Sequence, residues 1–124
     1  MEARPTAIIP ARGNSKRLAR KNILPWRGIP LIAHTIKNAL SSDIFSEVIV
    51  SSEDDEILNC AENYGAKTVI RRNSLSQDTS TVVEVCIDVI DTCKQIDSFC
   101  CIYATAVKLK PKTIKRAIVN LGKL

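Results

Sequence analysis

Four short apolar runs, none strictly alternating with polar residues, constrain this chain more than any other feature. They are Ala7-Ile8-Ile9, Val48-Ile49-Val50, Thr68-Val69-Ile70 and Phe99-Cys100-Cys101-Ile102-Tyr103. A strand with one face in water alternates apolar and polar side chains, whereas a strand covered on both faces is apolar throughout. Stretches with helical spacing separate the runs, and parallel strands need crossovers of about that length. The pattern predicts an α/β fold: a Rossmann-like parallel sheet flanked by helices.

The helical stretches carry their own boundary signals. Pro30 is placed in the first turn of a helix whose Ile32, Ile36 and Leu40 share one face. Ser52 and Asp55 read as a capping pair for a second helix, in which Ile57, Leu58, Ala61 and Tyr64 form the inward stripe. Gly65 stands where that helix needs a left-handed residue to stop. Thr81 and Glu84 have capping-box spacing and open a third helix, with Val82, Cys86, Val89 or Ile90, and Cys93 turned inward. A last helix is predicted over residues 111–121.

A chain of 124 residues supports one compact core, so residues 1–124 are read as a single domain. No apolar run approaches the ~20 residues that span a bilayer. The first apolar run ends at Pro10, too early for a secretory signal. The expected location is the cytoplasm, with no membrane partner. Five cysteines (Cys60, Cys86, Cys93, Cys100 and Cys101) show no C-x-x-C spacing, and His34 is the only histidine. That set is poor material for a zinc site, and the cysteines read as small buried apolar residues. Cys86 and Cys93 fall on one helix face, and Cys100 and Cys101 on opposite faces of a strand.

The formal net charge of +5 is concentrated rather than spread. Arg12, Lys16, Arg17, Arg20 and Lys21 lie within one ten-residue window that holds no acid, and outside it 13 basic residues balance 13 acidic ones. Residues 108–123 carry a second basic stretch. Uniform positive charge suits nucleic acid, whereas a single dense cluster suits a local anion. Only Trp26 stands near the cluster as a stacking surface, so a nucleic-acid partner is not expected.

The cluster follows the first apolar run directly, as Pro10-Ala11-Arg12-Gly13-Asn14-Ser15-Lys16-Arg17. In parallel α/β sheets ligands sit beyond the carboxyl ends of the strands. A triphosphate there needs inward backbone N–H groups and cations to share its charge. Gly13 permits the tight backbone, Asn14 tolerates a left-handed conformation, and Arg12, Lys16 and Lys21 supply the charge. The segment has neither the G-K-[ST] of a Walker loop nor G-x-G-x-x-G.

These residues, continued by Arg20-Lys21-Asn22-Ile23, resemble the signature of the acylneuraminate cytidylyltransferases. That family includes the CMP-sialic acid synthetases and the similar pseudaminic acid cytidylyltransferases. The resemblance runs on through Pro30-Leu31-Ile32-Ala33, Val48-Ile49-Val50-Ser51-Ser52, Tyr64-Gly65-Ala66 and Leu75-Ser76-Gln77-Asp78. It ends with Cys100-Cys101-Ile102-Tyr103-Ala104-Thr105-Ala106, which looks more like the pseudaminic acid branch.

The resemblance implies a nucleotidyltransferase that moves CMP from CTP to an acidic nine-carbon sugar and releases pyrophosphate. It implies that Arg12 and Lys21 hold the phosphates as catalytic residues. Ala11, Gly13, Ser15 and Lys16 would line the loop, Asn22 would touch the nucleoside and Arg71 the cytosine. Asp78 and Ser80 would wall the base pocket. Mg²⁺ is implied as cofactor, with its carboxylates expected in a C-terminal half beyond Leu124. The family's homodimer is implied too, through surfaces expected in that same half, and a non-catalytic CTP-binding remnant is the alternative expectation. Ala19, Val107 and Lys108 depart from the family pattern, the last two on the sugar side.

His34, within an apolar helix pattern, reads as structural. Trp26 reads as packing beneath the loop. The run Glu53-Asp54-Asp55-Glu56 reads as charge set against a helix macrodipole rather than as metal ligands.

Overall fold

The computed structural model describes residues 4–11, 21–70, 82–93, 96 and 98–102, the side chains of Lys21, Val82 and Val83 excepted. Four strands, β1 (Thr6–Pro10), β4 (Glu47–Ser52), β5 (Lys67–Ile70) and β6 (Phe99–Cys101), form a sheet in the order β5-β4-β1-β6. Every pairing in it is parallel. Ala7 stands opposite Val48 and Cys100, and Ile8 opposite Ile49 and Cys101. The parallel α/β expectation holds.

Alternation along the strands splits the core in two. On one face Ala7, Ile9, Val48 and Val50 pack under α1 (Leu31–Ser41) and α2 (Asp55–Asn63), against Ile32, Ile36, Ala39, Ile57 and Ala61. On the other, Ile8, Ile49 and Val69 meet Cys86 and Val89 of α3 (Val82–Cys93). Successive strand residues point to opposite faces, so an unbroken apolar run needs helices on both. Cys100 packs with the first cluster and Cys101 with the second, as their adjacency predicts.

β1 and β4 are apolar and buried on both faces for the expected reason. Lys67 and Ile70 of the outer strand β5 are exposed. Lys67 there bonds Glu47 at 2.7 Å, which marks this strand as an edge among the described residues.

Three local expectations need correction. Pro30 is the residue before α1, with extended ψ of 145°, and does not belong to the helix's first turn. Leu40 does not join Ile32 and Ile36 inside; it is 43% exposed, and Ala33, Thr35 and Ala39 take the buried positions. The cap of α2 is Asp54, whose Oδ1 accepts from the N–H groups of Glu56 at 2.9 Å and Ile57 at 3.2 Å. Ser52 still belongs to β4, so its Oγ instead accepts from the Asp54 N–H. The macrodipole reading of the acidic run is borne out: Asp54 caps and Asp55 and Glu56 occupy the first turn. Gly65 has a φ of +96° just past α2, as expected.

A second, two-stranded sheet escaped the sequence reading. β2 (Pro25–Trp26) and β3 (Ile29–Pro30) pair antiparallel across Arg27 and Gly28, whose φ values are +51° and +89°. Positive φ at both turn residues is the signature of a two-residue hairpin. No helix among the described residues is long and apolar enough to cross a membrane. The predicted helix over 111–121, Thr81 of the capping box and the second basic stretch lie outside the described residues.

Candidate functional site

The chain climbs outward from β1 to β4 to β5 with α1 and α2 on one face. It then returns through α3, on the other face, to β6 on the far side of β1. The direction of winding therefore reverses between β1 and β6. Such a reversal opens a crevice at the carboxyl ends of the two strands, where open α/β sheets bind ligands.

The cationic segment starts at this point. Ala11, 2% exposed, donates its N–H to the Ser51 carbonyl at 2.9 Å, extending the β1–β4 ladder one step past Pro10. On the other side, the Ile102 N–H reaches the Ile8 carbonyl at 2.9 Å. Ser51 and Ser52 are fully buried at the end of β4. The strand ends are thus held rigidly where the connection leaves.

The segment returns in a short 3-10 helix, Lys21–Ile23, which packs against α1 and α2. Ile23 reaches the core beneath those helices. Asn22 is 3% exposed and keeps polar partners there. Of the predicted site residues, Ala11 and Asn22 are described in full and Lys21 by its backbone. The structure brings both ends of the segment to the carboxyl edge of the sheet. Arg12, Gly13, Ser15, Lys16, Arg71, Asp78 and Ser80 lie outside the described residues. Sequence reasoning missed Ser51, the carbonyl partner of Ala11; strand register alone reveals it.

Other chemistry on the described surface is limited. Burial raises the thiols of Cys60, Cys93 and Cys100 above their ordinary range. Cys101 is raised first by its hydrogen bond with Cys86 and then by burial. Raised thiols are poor nucleophiles at neutral pH. Among the described residues no three His, Cys, Asp or Glu side chains group as a metal ion requires. The N-terminus of α2 is already occupied by the Asp54 carboxylate.

Comparison with known proteins assigns this arrangement. The chain is 48% identical over 115 residues to the pseudaminic acid cytidylyltransferase of Campylobacter jejuni subsp. jejuni serotype O:2, covering 89% of this chain and 50% of that protein. It is 40% identical over 117 residues to the CMP-N,N'-diacetyllegionaminic acid synthase of Legionella pneumophila, covering 90% of this chain and 50% of that protein. It thus spans about half the length of these curated relatives. A solved CMP:2-keto-3-deoxy-manno-octonic acid synthetase complexed with CTP shares the fold, with a TM-score of 0.85 at 22% identity over 98% of this chain and 48% of that one. With the cytidylyltransferase family profile matching residues 6–124, the chain belongs to that family.

Proposed function

We propose that residues 1–124 form a single nucleotide-binding domain of an enzyme that transfers CMP from CTP to pseudaminic acid or a closely related nonulosonic acid. One observation carries this reading. The sequence segment holding Arg12, Lys16 and Lys21 leaves the sheet at Ala11, at the winding reversal, and rejoins the described fold at the 3-10 helix, in a member of the cytidylyltransferase family. The named relatives act on nonulosonic acids, which supports the substrate class.

In this reading the sugar's anomeric oxygen attacks the α-phosphorus of CTP. A new O–P bond forms as the hydroxyl's proton passes to solvent, the bond to the bridging oxygen of the β-phosphate breaks, and pyrophosphate leaves. Charge grows on the phosphoryl oxygens during attack, so fixed cations and N–H donors lower the barrier. Arg12 and Lys21 are proposed for that role. The backbone of Ala11, Gly13, Ser15 and Lys16 would shape the phosphate cradle. Asn22 would meet the nucleoside, Arg71 the cytosine, and Asp78 and Ser80 the walls of the base pocket.

A divalent ion, Mg²⁺ in this proposal, would offset the triphosphate charge when bound. Among the described residues no three His, Cys, Asp or Glu side chains group around a place for it.

Calorimetry tests the assignment. The chain should bind CTP in preference to ATP. Arg12→Ala and Lys21→Ala should each weaken CTP binding by about 1.5–3 kcal/mol, the range for a charge-assisted hydrogen bond. Equal affinity for CTP and ATP, or wild-type affinity in both variants, would sink the reading.

A further inference from the structure

The β2–β3 hairpin follows immediately on the 3-10 helix that carries Lys21 and leads immediately into α1. By itself it is poorly held. Each strand has two residues, and the register sets Pro25 opposite Pro30 and Trp26 opposite Ile29. The proline pair falls where an antiparallel ladder exchanges no hydrogen bonds, and neither proline has an N–H to give elsewhere, so it adds no rung of its own. Isolated hairpins are marginal even at full length. Something outside the hairpin has to hold it.

His34 does so. It stands on the first turn of α1, and its Nε2–H donates to the Trp26 carbonyl. A carbonyl oxygen only accepts, so this contact places the proton on Nε2. The imidazole also meets the Trp26 ring edge-on, with centroids 4.8 Å apart and planes at 77°. Arg27 lies across the indole at 4.5 Å. The Leu31 N–H, at the start of α1, bonds the Leu24 carbonyl at 2.9 Å and closes the segment at its base. Helix and hairpin are thus joined at two points, and one of them is a side chain.

We propose that His34 is a positioning residue for the phosphate-binding segment, tethering the β2–β3 hairpin to α1 so that the backbone of Lys21 returns to one place. It touches no reacting atom; it acts through Trp26 on the residues just before it. The proposal rests on the reading of Arg12 and Lys21 as phosphate-binding residues. A loop that must meet a triphosphate with its charges already in place gains affinity when its return strand is fixed beforehand.

Hydrogen–deuterium exchange and CTP titration of the full chain test this with His34→Ala, His34→Gln and Lys21→Ala. In His34→Ala the amides of Lys21 to Leu24 and of Trp26 should exchange about tenfold faster, the upper range for one lost hydrogen bond. Those of β4 and α2 should keep their protection. CTP affinity should fall by about three- to tenfold. Glutamine sets an N–H donor at nearly the same reach as Nε2, so His34→Gln should restore most of both. Unchanged exchange in His34→Ala overturns the proposal, as does faster exchange with full CTP affinity. If neither wild type nor Lys21→Ala binds CTP, the nucleotide reading fails on its own. Faster exchange in His34→Ala then still supports the tether, and unchanged exchange still overturns it.

Discussion

The Ala11 N–H and the Ser51 carbonyl, 2.9 Å apart, form the last rung between β1 and β4 before the cationic segment departs. Ala11 is 2% exposed and sits in the core beneath α1 and α2, so its small side chain has no room to grow. Ala11→Leu should overpack this corner and destabilise the chain by about 1–3 kcal/mol. Urea unfolding measures the loss. If the segment's anchorage matters for nucleotide, CTP affinity should fall in the same variant under conditions where it remains folded.

Asp54 satisfies two N–H groups of the first turn of α2. Asp54→Ala should cost about 1 kcal/mol. Asp54→Asn should cost less, since its side-chain oxygen still accepts both bonds. Equal losses in thermal melts of the two variants would show that charge against the macrodipole, and not the cap bonds, dominates.

Ile8 and Ile87 share a residue type and differ in what surrounds them. Ile8 is fully buried between β4, β6 and α3, whereas Ile87 on α3 is 52% exposed. Ile8→Ala should lose about 2–5 kcal/mol. Ile87→Ala should stay within about 0.5 kcal/mol of wild type. Comparable losses at the two sites in denaturant titrations would contradict the two-faced core.

Gly65 has a φ of +96°, and a Cβ there would lie 3.3 Å from the Leu40 Cδ1. Strain and crowding act together. Gly65→Ala should destabilise by about 1 kcal/mol or more, read as a lowered melting temperature. Pairing it with Leu40→Ala should recover the part caused by crowding and leave the part caused by φ.

Burial holds the Cys60, Cys93 and Cys100 thiols protonated beyond their ordinary range. The folded chain therefore keeps protons that the unfolded chain releases, starting near the free thiol value of about 8.5. Stability should be level below that pH and fall as pH rises above it, because the unfolded state then binds fewer protons. Urea midpoints between pH 7 and 10 check the sign. A midpoint that rises across this range would contradict the burial argument.

The sequence by itself determined the layers. Unbroken apolar runs such as Ala7-Ile8-Ile9 and Val48-Ile49-Val50 demand cover on both faces, and the helical spacing between them supplies it. It also determined where α2 ends, because Gly65 alone in that stretch adopts a left-handed backbone without strain. The cationic segment was legible for the same local reason: charge and glycine lie together in one short stretch.

Tertiary structure decided what depends on partners distant along the chain. Strand order is one such matter, since nothing in the apolar runs says that β1 lies between β4 and β6. That order creates the winding reversal at which the cationic segment starts. The choice of Asp54 over Ser52 as cap followed from β4 running through Ser52 to match Ile70 in β5. The hairpin was invisible because two-residue strands, each holding a proline, carry no periodicity. Its hold on the fold comes from His34, eight residues beyond Trp26, and only the packed chain brings that imidazole to the Trp26 carbonyl.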